Sequence, residues 1–169
     1  MWAGVTARFR TFHQNLRLTD DQINEGTNHH AGVRRSLNSH YYGSSSESAN
    51  SFLIGSWGKY TRTRPPRDID LYFVLPYEVY LRFESVQGNK QSALLQEVRR
   101  VLQGTYPNTN LRGDGQVVVV SFNRMSVEVV PAFLLQSGQY WICDTHDGGR
   151  YKTADPKAEL AHIATVNDN

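Results

Sequence analysis

Apolar residues recur along this chain at two spacings, and the switches between them mark its elements. Val5, Phe9, Phe12 and Leu16 stand three or four positions apart, which predicts an amphipathic helix over Val5 to Leu16. Thr19-Asp20 is a helix start signal, and a second helix is predicted through Ile23, Val33 and Leu37. A Ser-rich loop, Gly43 to Ser51, ends this helical lead. Phe52-Leu53-Ile54 then reads as a short buried strand, closed by Gly55-Ser56 and followed by a short helix over Trp57 to Tyr60. A basic, Pro-containing loop, Lys59 to Arg67, leads to Asp68 to Leu75. That segment is a predicted strand with apolar residues on both faces, stopped by Pro76. Tyr77 to Phe83 suits a short helix, and Gln91 to Leu102 carries Leu94, Leu95, Val98, Val101 and Leu102 at helical spacing, with Gly104 just beyond. Gln116 to Phe122 and Ser126 to Val130 read as antiparallel strands joined by a tight turn at Asn123-Arg124. Trp141 and its neighbours are expected to add an edge strand. Asp155-Pro156 opens a last helix with Leu160 and Ile163 apolar.

Helices, two strands, a helix and a hairpin in that order imply an α+β domain, a mixed α/β sheet flanked by helices. The 169 residues are enough for one compact domain with a sizeable core. A net charge of +2 is too mild for a nucleic-acid surface, so there is no strong DNA-binding signature, and any polyanion handled is expected to be small. The single cysteine, Cys143, excludes an internal disulfide and reads as a small core residue near a strand end. No apolar run reaches membrane-spanning length and Met1 to Arg10 lacks the apolar core of a secretion signal, so a soluble, cytoplasmic protein is expected. His29, His30 and His40 invite a zinc reading, but no partner at ligand spacing completes a set; they are expected at the surface.

The chemistry is concentrated in three acids. Strand side chains alternate faces, so Asp68 and Asp70 point one way while Ile69, Leu71 and Phe73 point the other. Paired carboxylates repel in a strand that is otherwise apolar, and a divalent cation with a taste for oxygen, such as magnesium, resolves the conflict. Alone, an Asp-x-Asp fits a solvated strand start equally well. Glu128 is another acid inside an apolar strand, opposite in face to Val127 and Val129. If its strand lies beside the Asp68 strand, the three carboxylates can hold two magnesium ions about 4 Å apart, an arrangement that serves phosphoryl transfer. Gly55 permits close backbone approach, and Ser56 at a helix start offers a hydroxyl and free amides to phosphate. Lys59, one helical turn from Ser56, is a phosphate candidate. Arg62, Arg64 and Arg67 read as a solvated loop, and Arg99 and Arg100 as the outer face of a helix. No P-loop motif occurs.

Ile54-Gly55-Ser56, Asp68-Ile69-Asp70-Leu71 and Val127-Glu128-Val129-Val130-Pro131-Ala132-Phe133, in this order, resemble the nucleotidyltransferase superfamily of DNA polymerase beta. The sequence is most similar to the bacterial CD-NTases, relatives of cyclic GMP–AMP synthase and oligoadenylate synthase. Gln91 to Leu102, Gly113 to Val118 and Asp155 to Ala158 extend the resemblance over most of the chain beyond Ser51. It implies a polymerase-beta-like catalytic core over 51–154, a helical lead over 1–50, and in 155–169 the start of a helix leading to a helical second lobe. It further implies that Asp68 and Asp70 ligate two Mg²⁺ (or Mn²⁺) ions and Glu128 one of them, with Gly55 and Ser56 holding the donor triphosphate. An acceptor ribose hydroxyl then attacks the alpha-phosphorus and pyrophosphate leaves. The partners implied are nucleoside triphosphates, with no membrane; the products are cyclic or linear oligonucleotide signals in antiviral defence, and no regulator is named. The third acid departs from the superfamily's usual aspartate. Two other readings stay open: a small nucleotidyltransferase that modifies tRNA or protein, as in toxin–antitoxin pairs, and a non-catalytic nucleotide-binding module.

Overall fold

A computed structural model describes residues 4–167. Among the described residues, six helices and seven strands follow one another as α1 (Val5–Leu16), α2 (Asp20–Tyr42), β1 (Ser51–Leu53), α3 (Gly55–Gly58), β2 (Asp68–Val74), α4 (Tyr77–Glu84), α5 (Lys90–Thr105), β3 (Asn110–Asp114), β4 (Val117–Ser121), β5 (Ser126–Leu134), β6 (Tyr140–Asp144), β7 (Arg150–Ala154) and α6 (Pro156–Asn167). Helix starts follow local chemistry. Thr19 and Gln22 exchange side chain to backbone hydrogen bonds in a capping box that opens α2. Asn89 accepts from the Ser92 N–H at the start of α5, and Asp155 from the Ala158 N–H at the start of α6.

All seven strands join one mixed sheet in the order β1-β2-β5-β4-β3, with β6 on β5 and β7 on β6. Only β2 and β5 are parallel, paired from Asp68↔Ser126 to Val74↔Ala132. On its other side β5 forks. Ser126 to Val129 pairs with β4, and Ala132 to Leu134 pairs with β6. The main core fills one face of the sheet, where Ile69, Leu71, Val127 and Val129 meet Val33 and Leu37 of α2 and Leu94, Val98 and Leu102 of α5. A smaller cluster, Tyr72, Val130, Ala132, Tyr140 and Ile142, occupies the opposite face. Buried Asp144 accepts from Arg150 and lies 2.9 Å from the Lys152 ammonium, tying β6 to β7.

Several expectations need correction. Trp141 lies on β6, between β5 and β7, so it is no edge strand; β7 takes that place. β3 and β7 carry no clear strand signal, because β3 is exposed except at Leu111 and β7 has no fully buried side chain. His30 is buried, not on the surface: its ring meets Trp57 edge-on at 5.9 Å. His29 stacks on Phe122, and only His40 is exposed. Arg99 is half-buried, whereas Arg100 is exposed. Cys143 is buried as expected, and burial pushes its thiol up to about 12. Helix α1 forms where the periodicity puts it, yet it buries no residue; Val5, Phe9 and Phe12 stay exposed. Among the described residues no helix is long and apolar enough to cross a membrane.

Candidate active site

Alternation along β2 sends Ile69, Leu71 and Phe73 to the core and leaves Asp68 exposed and Asp70 half-buried on the other face. β5 does the same with Val127 and Val129 against Glu128. The parallel register then sets Asp70 directly beside Glu128, with Asp68 beside Ser126. One row across the sheet reads Asp70, Glu128, Val119, Arg112, over β2, β5, β4 and β3. The three predicted acids therefore share one face at one end of two adjacent strands. Three neighbours are not singled out by the sequence. The Ser126 hydroxyl donates to Asp68 Oδ1 at 2.6 Å, and Arg112 and Asp114 bear electrostatically on Glu128. The β3 pairing that brings them there has almost no apolar signature in the sequence.

Like charge and burial shape the acids. Burial, then the Asp68 charge, raises the Asp70 carboxyl above its ordinary range, with Lys59 opposing. Burial, then Asp68 and Asp70, raises Glu128, with Arg112 opposing. Both shifts come from burial first and like charge second, with Lys59 opposing at Asp70 and Arg112 at Glu128.

The Gly55 backbone lies against the Asp70 carboxylate. It has φ +54°, and a Cβ there would lie 1.8 Å from Asp70 Oδ2, so no other residue fits without displacing the carboxylate. The Ile54 N–H donates to the Asp70 carbonyl at 3.0 Å, which holds the Gly55-Ser56 turn against β2. Ser56 lies in the four-residue α3, and Lys59 follows it. The Lys59 ammonium is 2.6 Å from Glu159 of α6, so the predicted phosphate ligand is near Asp70 but ion-paired. Two of the three loop arginines are not free in solvent. The Arg62 guanidinium lies 4.7 Å from the centre of the Trp57 ring, and Arg64 donates twice to the Arg17 carbonyl; Arg67 is exposed.

The donor set fits a hard divalent cation, being all oxygen and electrostatically short of positive charge. Asp68 turns to the Ser126 hydroxyl, and among the described residues no three His, Cys, Asp or Glu side chains are gathered closely enough to hold an ion as they stand. Holding one requires side-chain rotation, without movement of the strands that fix the acids side by side.

Residues 4–167 match the family described as the Second Messenger Oligonucleotide or Dinucleotide Synthetase domain. No curated protein matches. Among solved structures, the chain is similar to the CD-NTase CdnG of Bradyrhizobium diazoefficiens in complex with GTP, with a TM-score of 0.66, 17% identity, and 87% of this chain and 43% of that one covered. It is also similar to E. coli MS115-1 CdnC with ATP, with a TM-score of 0.59, 19% identity, and 90% and 48% covered. Apo DncV of Vibrio cholerae gives a TM-score of 0.62 at 11% identity, covering 91% and 58%. The chain thus spans between 43% and 58% of the length of these structures. At such identities the likeness is one of fold, and it agrees with the expected polymerase-beta-like core. On the family match over nearly its whole length, the chain belongs to the Second Messenger Oligonucleotide or Dinucleotide Synthetase family, the CD-NTase branch of the polymerase-beta-like nucleotidyltransferases.

Proposed function

We propose that this domain is the catalytic half of a magnesium-dependent enzyme that joins nucleoside triphosphates into cyclic or linear oligonucleotide second messengers for antiviral defence. The observation that carries the reading is the register pairing of Asp70 with Glu128, with Asp68 on the same face and the Gly55 backbone against Asp70. The family description supports it, as do solved relatives that contain GTP or ATP.

Asp68, Asp70 and Glu128 would hold the metal, which when bound lowers the pKa of the attacking hydroxyl and neutralises charge on the phosphate. The other residues position. Gly55 leaves room for a polyphosphate beside the carboxylates, and the Ser56 hydroxyl donates to it. Lys59 exchanges Glu159 for phosphate oxygens, a substitution of one anion for another at the same ammonium. Glu128 serves despite its extra methylene, since carboxylates coordinate flexibly.

Incubation of the protein with the four labelled triphosphates and Mg²⁺, with products resolved by mass, is expected to yield oligonucleotides and pyrophosphate. Label found only on RNA or protein overturns the signalling reading. Pyrophosphate release that survives in Asp68→Ala overturns the assignment of the acids.

A further inference from the structure

A second feature lies along the arginine loop that leads to Asp68; none of the three carboxylates lines it. Two cavities, about 690 and 360 Å³, adjoin across Thr61 to Thr63 and share Leu18 and Arg62. Both fall in the size range of small-ligand pockets, about 300–1,000 Å³. The larger is walled by the end of α1 and the start of α2, and the smaller reaches Ser56 and Arg67.

Their chemistry is one-sided. The larger cavity has Arg17 and Arg62 against a single acid, Asp20, and the smaller has Arg62, Arg64 and Arg67 against none. Arg62 lies between two rings, 4.7 Å from the Trp57 centroid and 5.6 Å from that of Tyr60. Tyr60 is the telling residue. Its φ of +56° puts a bulky side chain in the left-handed region, and it is 83% exposed, so no burial offsets the strain. An aromatic held in a strained conformation at a cavity mouth, beside an arginine cluster, is a pattern for stacking a planar ring above bound phosphate.

We propose that these adjoining cavities bind a nucleoside phosphate without metal, its base on Tyr60 and its phosphates among Arg17, Arg62 and Arg67. The occupant is coupled to Ser56. The Thr61 N–H donates to the Ser56 carbonyl at 3.0 Å, and Trp57, under Arg62, follows Ser56 in α3. The effect on Ser56 rests on the function proposed above; the binding itself does not.

The test is calorimetric titration of ATP, GTP and pyrophosphate, in EDTA, into an Asp68→Asn/Asp70→Asn variant. That variant lacks two of the acids and should not turn over triphosphates, and the Arg17 and Tyr60 variants below, at residues that line only the larger cavity, separate binding there from binding at Ser56 and Lys59. We expect one saturable nucleotide site, at least tenfold tighter than pyrophosphate. Arg17 lines only the larger cavity and is exposed, so Arg17→Glu should weaken binding tenfold or more with no change in melting temperature. Tyr60→Gly removes the strain and the ring together, so it should raise the melting temperature while weakening nucleotide binding. The proposal is overturned by absence of metal-free binding, by equal affinity for pyrophosphate, or by binding that Arg17→Glu and Tyr60→Gly leave intact.

Discussion

β2 and β5 present two faces made from alternate residues of the same strands. Toward the helices stand Ile69, Leu71, Val127 and Val129, each fully buried and aliphatic. Toward the open side the first half of each strand presents Asp68, Asp70 and Glu128, and the second half Tyr72, Val130 and Ala132. The helix-covered face supplies burial; the acid end of the other face opposes folding, since burial and mutual repulsion both disfavour its charged forms. Stability and the proposed chemistry are thus separated by a single residue step along the chain.

Paired substitutions on the two faces would break or sharpen that contrast. The largest effects come from mirror-image changes. Val129→Asp puts an unpaired charge in the core, which costs several kcal/mol, and is expected to abolish soluble folded protein. Asp70→Ala should reduce nucleotide transfer at least a thousandfold yet leave circular dichroism unchanged and the melting temperature equal or higher. A marked fall in melting temperature for Asp70→Ala would contradict the division of labour. Next, Leu71→Ala should cost about 2–5 kcal/mol in denaturant unfolding, because it empties a fully buried site. Gly55→Ala forces a Cβ onto Asp70 in a left-handed backbone, so activity should drop tenfold or more, with a smaller loss of stability. The smallest effect is on pH dependence. Burial, then the Arg34 and Arg62 charges, lower the His30 pKa from 6.5 to about 4. The unfolded chain therefore binds this proton first, and stability from His30 falls as pH drops from 6.5 toward 4. Asp70 and Glu128, raised on folding, act in the opposite sense. The His30 contribution is isolated as the difference in the slope of melting temperature with pH between the protein and His30→Phe, which should be flatter.

How much of this is legible in the sequence depends on how local its cause is. The Thr19 cap, the α5 spacing and the Asp68/Asp70 alternation are written within a few residues, and all appear where expected. The adjacency of Glu128 to Asp70 was conditional, since alternation fixes a face but neither the neighbour nor the direction of the strand. Edge strand β3 buries Leu111 alone and β7 buries no side chain, so neither shows an apolar alternation that would announce it. The burial of His30 has a different cause. What buries it is Trp57 of α3, which closes on Gly26 of α2, where an added Cβ would meet the ring at 2.3 Å. A helical wheel holds no information about that contact. In α1 the periodicity named the element and its apolar stripe but not what, if anything, lies against it.

The fork in β5 has a consequence for how this protein can change. Bound by β2 along one side and by β4 and β6 in turn along the other, β5 is clamped by three partners at once. Deleting one residue between Ser126 and Ala132 would reverse the faces of the strand on one side of the cut, turning Glu128 toward the core or a core valine toward the open face, with no free edge to absorb the slip. Length variation in descendants of this gene should therefore collect in the serine loop near Ser45 or the turn at Ser137-Gly138, and spare β5.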